Sequence, residues 1–295
     1  MRPDFIIVGL ERSGGHWVTA LLNSHPDIAA FPVDYFVLGK SRIGELHFFN
    51  TIASVAEPHR EHVRPFEDFA VKFGGRYADL VPLRGKVSDD ELISRFAKRY
   101  SEICEGERGS KKIVGELSSR YVLFMDWIDK LFPNKKKICI IRDPKDRIVS
   151  WYQKKEVQEK GSKEMMVPRE FAVNYTKANV VPEYEALLNY DGSLHGVSYE
   201  ALHKNPVPVV EGLLTYLDMS YSREIVEHMI EGATFEKQTE RHEGRARKLG
   251  EAAMSPMRKG IVGDYKECMA KETIKEVDAI TKDLEISVHR KLMLQ

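Results

Sequence analysis

At 295 residues, with 45 Lys and Arg against 45 Asp and Glu, the chain suits one large α/β domain, or at most two small ones, and carries no net field that would draw it onto nucleic acid. Its three cysteines, Cys104, Cys139 and Cys268, are scattered and lack metal-ligand spacing, which argues against a zinc framework or a disulfide scaffold and fits a reducing compartment. No apolar run reaches the length of a membrane span and the chain starts on a strand rather than a signal peptide, so a cytoplasmic protein is expected.

Phe5 to Val8 is an unbroken apolar run, as expected of a central parallel strand buried on both faces. Gly9 opens a loop with Gly14 and Gly15, and Trp17 to Leu22 reads as the helix that follows. Such a turn aims backbone N–H groups at one spot beside the positive end of a helix, which makes an anion site. The alternative is a tight turn that needs glycine for its backbone alone. The spacing nearly makes a nucleotide-triphosphate loop, but Gly15 and His16 stand where lysine and serine or threonine would be needed. Arg12 is the only cation within the loop. A phosphate or sulfate site without magnesium–ATP chemistry is expected, and no metal.

Asn23 to Asp27 stops this helix, and Ile28 to Phe31 reads as a second short strand. In Glu45-Leu46-His47-Phe48-Phe49-Asn50 a carboxylate and an imidazole share one face if the backbone is extended; spacing alone reads the stretch as a surface loop with its aromatics tucked under. Ser88 to Glu91 opens an amphipathic helix reaching about Tyr100. Ile113 to Glu116 resembles a strand ending in a carboxylate, with Ser118 or Ser119 capping the helix after it.

Lys137 to Ile141 is a further buried strand and leads into Arg142-Asp143-Pro144-Lys145-Asp146-Arg147-Ile148-Val149-Ser150. Asp143 is a natural N-cap with Pro144 at the first helical position. Arg142 thus sits at the carboxyl end of a strand, where open α/β sheets bind ligands; an ordinary ion pair is the alternative. Pro168 to Leu188 reads as a long helix, Leu194 to Tyr199 as a fifth strand, and two more helices reach Leu217 and Ile230. Glu236 to about Met257 is rich in charge and lacks period, as a solvated loop or a lid closing over an anion would be. Adjacent Arg258 and Lys259 beside Gly260 then make a compact phosphate clamp.

Three of these stretches together resemble the sulfotransferases that use 3′-phosphoadenosine 5′-phosphosulfate. Glu11-Arg12-Ser13-Gly14-Gly15-His16-Trp17 is similar to their 5′-phosphosulfate loop, Pro-Lys-Ser-Gly-Thr-Thr-Trp in cytosolic members. Arg142 to Ser150 matches their 3′-phosphate motif with the Arg-to-Ser spacing intact, and Arg258-Lys259-Gly260-Ile261-Val262-Gly263-Asp264-Tyr265-Lys266 resembles their late Arg-Lys-Gly-x-x-Gly-Asp-Trp-Lys motif. The resemblance implies a single domain over 1–295, with a parallel sheet flanked by helices, a mobile lid over about 236–257, and sulfonate transfer to a hydroxyl or amine acceptor. Carried over by position, Arg12, Ser13, Gly14, Gly15, His16 and Trp17 would wrap the phosphosulfate. Arg142, Ser150, Arg258, Lys259 and Gly260 would hold the 3′-phosphate, and Tyr199 and Phe235 the adenine. Glu45-Leu46-His47-Phe48-Phe49 resembles the base segment of the heparan-sulfate 3-O branch, so Glu45 is the expected base, His47 its companion and Glu116 the substitute. Arg12 replaces the family's loop lysine, Gly15 and His16 replace two threonines, and Leu117 replaces the lysine that follows the Glu116 position in that branch. A nucleotide kinase and a non-catalytic phosphonucleotide binder are the rival readings. The acceptor, whether small molecule, lipid or carbohydrate, is not read from the sequence.

Overall fold

Phe5–Gly9 forms strand β1 because its side chains are apolar on both faces, and each face meets its own layer of helices. Ile6 and Val8 join one apolar cluster with Phe48, Phe49, Phe96 and Tyr100; Phe5 and Ile7 join the other with Val18, Leu21, Leu213 and Leu214. The period of two along the strand therefore divides the core. Each large side chain so buried contributes roughly 1.5–3 kcal/mol.

The computed structural model describes residues 2–32, 47–63, 66, 77, 79–162, 165–240 and 260–293. In chain order β1 is followed by α1 (Gly15–Asn23), β2 (Ile28–Phe31), α2 (Phe48–Ala56), α3 (Asp89–Arg108), β3 (Ile113–Ser119), α4 (Met125–Leu131), β4 (Lys136–Ile141) and α5 (Pro144–Tyr152). Then come α6 (Arg169–Tyr175), α7 (Val181–Asn189), β5 (His195–Ser198), α8 (Tyr199–Lys204), α9 (Pro206–Tyr216), α10 (Arg223–Gly232), α11 (Tyr265–Cys268) and α12 (Lys271–Met293). The five strands form one parallel sheet in the order β2-β3-β1-β4-β5, flanked by helices. The expected single α/β domain with a central parallel sheet is what is found. Among the described residues, no helix is long and apolar enough to cross a membrane.

Register sets the working edge. Gly9 pairs with Ser119 and Ile141 with Ser198, so four strands end level, and the residues after them, Leu10, Arg142 and Tyr199 included, emerge side by side.

Several expectations hold in detail. Ser88 caps α3, accepting from the Glu91 N–H at 3.2 Å, and Asp143 caps α5, accepting from Lys145 N–H at 2.8 Å, with Pro144 first in the helix. Others need correction. Ser118 and Ser119 do not cap a helix; they continue β3, because Val8 and Gly9 offer them a parallel partner. The stretch after His47 is α2 rather than a loop, with Phe48 and Phe49 fully buried. The long helix from Pro168 is interrupted by a π turn at Thr176–Val180. Pro182 accounts for it, since its ring would otherwise strike the carbonyl one turn back. The lid expected from 236 falls outside the described residues beyond Glu240, as do Glu45, Arg258 and Lys259.

Candidate active site

The loop between β1 and α1 is shaped by what presses on it. Gly14 has φ 96°, and a Cβ there would lie 2.7 Å from the Tyr199 ring. At Gly15 a Cβ would lie 2.7 Å from the Leu117 side chain. Gly14 is therefore required both by close approach and by conformation, whereas at Gly15 a side chain would have to displace the end of Leu117. Arg12 also takes a left-handed φ, 64°, unusual for a residue with a side chain. The N–H groups of Gly15 and His16 precede the first intrahelical bond of α1, from Trp17 to the Gly14 carbonyl, and so lie at the helix's positive end.

The loop meets the second motif directly. Arg12 Nε donates to Ser150 Oγ at 3.1 Å, and Arg142 Nη1 reaches the Arg12 carbonyl at 3.5 Å. Arg142 also lies over the Tyr199 ring, 4.2 Å from its centre, and Tyr199 packs edge-on against Trp17 at 5.4 Å. Burial pushes the Tyr199 phenol up, and Arg142 opposes that shift.

The third motif reaches the same place. Arg142 Nη2 donates to the Ile261 carbonyl at 3.1 Å, while buried Asp146 accepts from Gly263 N–H at 2.7 Å and Tyr265 N–H at 3.1 Å. Gly260, at φ 64°, lies so close to Phe235 that a Cβ would come within 2.5 Å of its ring. Thus Arg12, Ser13, Gly14, Gly15, His16, Trp17, Arg142, Ser150, Tyr199, Phe235 and Gly260 are linked along one edge of the sheet.

This edge fits an anionic nucleotide on two further counts. Ser13 is fully buried and its hydroxyl has no partner among the described residues; Nε of Arg142 is likewise unmatched. Buried polar groups without partners call for one.

His47 and Glu116 lie beyond β1. His47, at φ 49°, leads into α2, and its Nδ1 is 3.2 Å from Ser118 Oγ, level with the end of β1. Glu116 is fully buried: Tyr100 OH donates to it at 2.8 Å and Tyr121 OH at 3.0 and 3.1 Å.

Sequence reasoning missed several residues here. His203, one turn into α8, packs on both Trp17 and Tyr199, and burial, aided by Arg142, lowers its pKa. Arg147 and Glu183 form a buried ion pair behind the loop, and Trp151 and Tyr175 hold the Glu11 carboxylate. One signal was present: Glu183 lies four before Leu187, on the buried stripe of its helix, where a charge demands a partner.

Solved structures share this fold. Mouse sulfotransferase SULT7A1, complexed with PAP, is 16% identical, with a TM-score of 0.57 over 99% of this chain and 87% of its own. A sulfotransferase from Alicyclobacillus acidocaldarius is 16% identical, with a TM-score of 0.53 over 99% and 96%. Retinol dehydratase, in a complex with retinol and PAP, is 15% identical, with a TM-score of 0.54 over 96% and 82%. No curated protein matches the sequence. The sulfotransferase domain, however, matches residues 2–293, nearly the whole chain. The protein belongs to the sulfotransferase domain family.

Proposed function

We propose that the protein transfers a sulfonate group from 3′-phosphoadenosine 5′-phosphosulfate to a hydroxyl or amine of a small-molecule, lipid or carbohydrate acceptor. The observation that carries this reading is the junction of Arg12 with Ser150 and Arg142, which couples a 5′-anion loop to a second cationic site one strand away. A donor with phosphate at both ends of its ribose suits two such sites. SULT7A1 and retinol dehydratase, the PAP-bound neighbours, support the same donor.

The donor supplies an activated sulfonate. The N–H groups of Gly14, Gly15 and His16, with the Ser13 hydroxyl and Arg12, bind its 5′ end and stabilise the negative charge that builds there. Arginine offers a planar fork where the family has lysine, so its direction matters as much as its charge. Arg142 and Ser150 receive the 3′-phosphate, joined by Arg258, Lys259 and Gly260 of the late motif. Tyr199 and Phe235 flank the adenine, and Trp17 backs the loop.

Glu45 takes the acceptor proton, a contribution of about 10²–10⁴-fold for a positioned base. His47 orients the acceptor or tunes Glu45. Glu116, engaged by two phenols, has the lesser part.

The test is a labelled-sulfonate transfer screen across acceptor classes, followed by substitution on any working acceptor. Glu45→Gln abolishes turnover while leaving nucleotide affinity unchanged, and Glu116→Gln costs less. Retained activity in Glu45→Gln with loss in Glu116→Gln or His47→Ala overturns the choice of base. Magnesium-dependent phosphoryl transfer, or nucleotide binding without transfer to any acceptor, overturns the reaction itself.

A further inference from the structure

The residue before Arg12 is gripped more completely than any turn requires. The Glu11 carbonyl accepts from Arg147 Nε at 2.8 Å, and its N–H lies 3.5 Å from Glu183 Oε1. Its carboxylate accepts from Trp151 Nε1 at 2.8 Å and stands 3.4 Å from Tyr175 OH. Three helices supply these four groups: Arg147 and Trp151 sit one turn apart on α5, Tyr175 at the end of α6 and Glu183 on α7. Arg147 and Glu183 also pair with each other, at 0% and 1% side-chain exposure. Burial disfavours the charge on Arg147, but Glu183 outweighs it and holds the guanidinium above its ordinary value.

Such a pair is a poor device for stability, because desolvating two charges offsets much of their attraction, and apolar residues of equal volume often do as well. What it adds is direction. Arg12 sits at φ 64°, a strained conformation for a side-chain-bearing residue that persists only where the surroundings over-determine it. From that conformation its Nε meets Ser150, on the same helix as Arg147 and Trp151.

We propose that Arg147, Glu183, Trp151 and Tyr175 are positioning residues that clamp Glu11 and thereby hold Arg12 in its strained, sulfonate-facing conformation. The sulfonate-facing part rests on the function proposed above; the clamp itself does not. Arg147 and Glu183 act on the backbone, and the two aromatic donors act on the side chain.

Two variants test this. Arg147→Met/Glu183→Leu removes the pair without stranding a charge, and Trp151→Phe removes a single donor while keeping the ring beside Phe171 and Tyr175. Hydrogen exchange on the free protein is read at residues 10–16 against the strands, and calorimetry compares the phosphosulfate donor with its desulfonated product. The expected result is exchange about tenfold faster confined to the loop, with smaller acceleration in Trp151→Phe. The donor's affinity falls relative to the product's, and kcat drops by at least about tenfold while product affinity stays within about threefold. Loop exchange unchanged in both variants overturns the clamp, whatever the reaction. Faster exchange with kcat and the affinity ratio unchanged overturns the link to Arg12. Should the double variant not fold, Trp151→Phe decides. Should the parent transfer no sulfonate at all, the function falls and the exchange measurement still judges the clamp.

Discussion

Two carboxylates are buried on opposite sides of the β1–α1 loop, and the protein holds them by different means. Glu183 faces a guanidinium, that of Arg147, and turns its other oxygen to the Glu11 N–H. Glu116 accepts from two phenols, Tyr100 and Tyr121, and Tyr121 OH in turn accepts from the Phe48 N–H at 2.7 Å. Burial, with the Glu116 charge added, pushes both phenols far up, so they remain donors. Each carboxylate thus relays to a backbone that carries a candidate active residue: Glu183 to the Leu10–Glu11 peptide ahead of Arg12, and Glu116, through Tyr121, to the peptide after His47. In the function proposed above, the ionic relay serves the residue that carries charge to the donor. In the same proposal, the phenolic relay serves the segment that presents a base to the acceptor. Both sites use buried polarity to place a left-handed residue, Arg12 or His47.

The comparison is broken most severely by stranding a charge. Arg147→Ala leaves Glu183 buried without its cation and is expected to destabilise by about 3–5 kcal/mol, read as a lowered urea midpoint. Tyr121→Phe keeps the ring but leaves Glu116 one donor short and the Phe48 N–H without its acceptor, an expected loss of about 1–3 kcal/mol. Turnover in Tyr121→Phe should fall with donor affinity unchanged, whereas the Arg147 and Glu183 variants change donor affinity relative to product; the two relays are thereby separated.

A third carboxylate sharpens the contrast because it lacks such provision. Glu285 on α12 is desolvated and faces Asp143, Glu200 and Asp278, with Lys145 as the counterweight, and its pKa is raised to about 7. A carboxyl raised in the folded state favours folding while protonated, and that contribution drains away as pH climbs from its ordinary value through about 7. Glu285→Gln should therefore raise Tm at pH 8 and change it little at pH 5. With the site partly open to solvent, the gain is on the order of 1 kcal/mol.

Local signals carried much of the fold. β1, β2 and β4 are apolar runs bounded by breakers, and Ser88 and the Asp143-Pro144 pair announce their helices. The errors fall where distant partners decide. Ser118 and Ser119 have cap chemistry but pair with β1. The sequence reading has no counterpart to α12, whose buried stripe, Thr273, Val277, Thr281, Val288 and Leu292, mixes threonine into the apolar period. At the site, the motifs were legible because their chemistry is local: a glycine loop, a cation at a strand end, a capped helix. The clamp was not, since Arg147 and Glu183 are 36 residues apart and only the packing of two helices joins them.

The central claim is that this edge binds a nucleotide with phosphate at both ends of its ribose, and calorimetry with 3′,5′-adenosine bisphosphate and AMP tests it most directly. Charge-assisted contacts from Arg142 and its neighbours, worth roughly 1.5–3 kcal/mol each, predict that the bisphosphate binds at least about tenfold more tightly, with the gap shrinking in Arg142→Ala. Equal affinities for the two nucleotides would contradict the account.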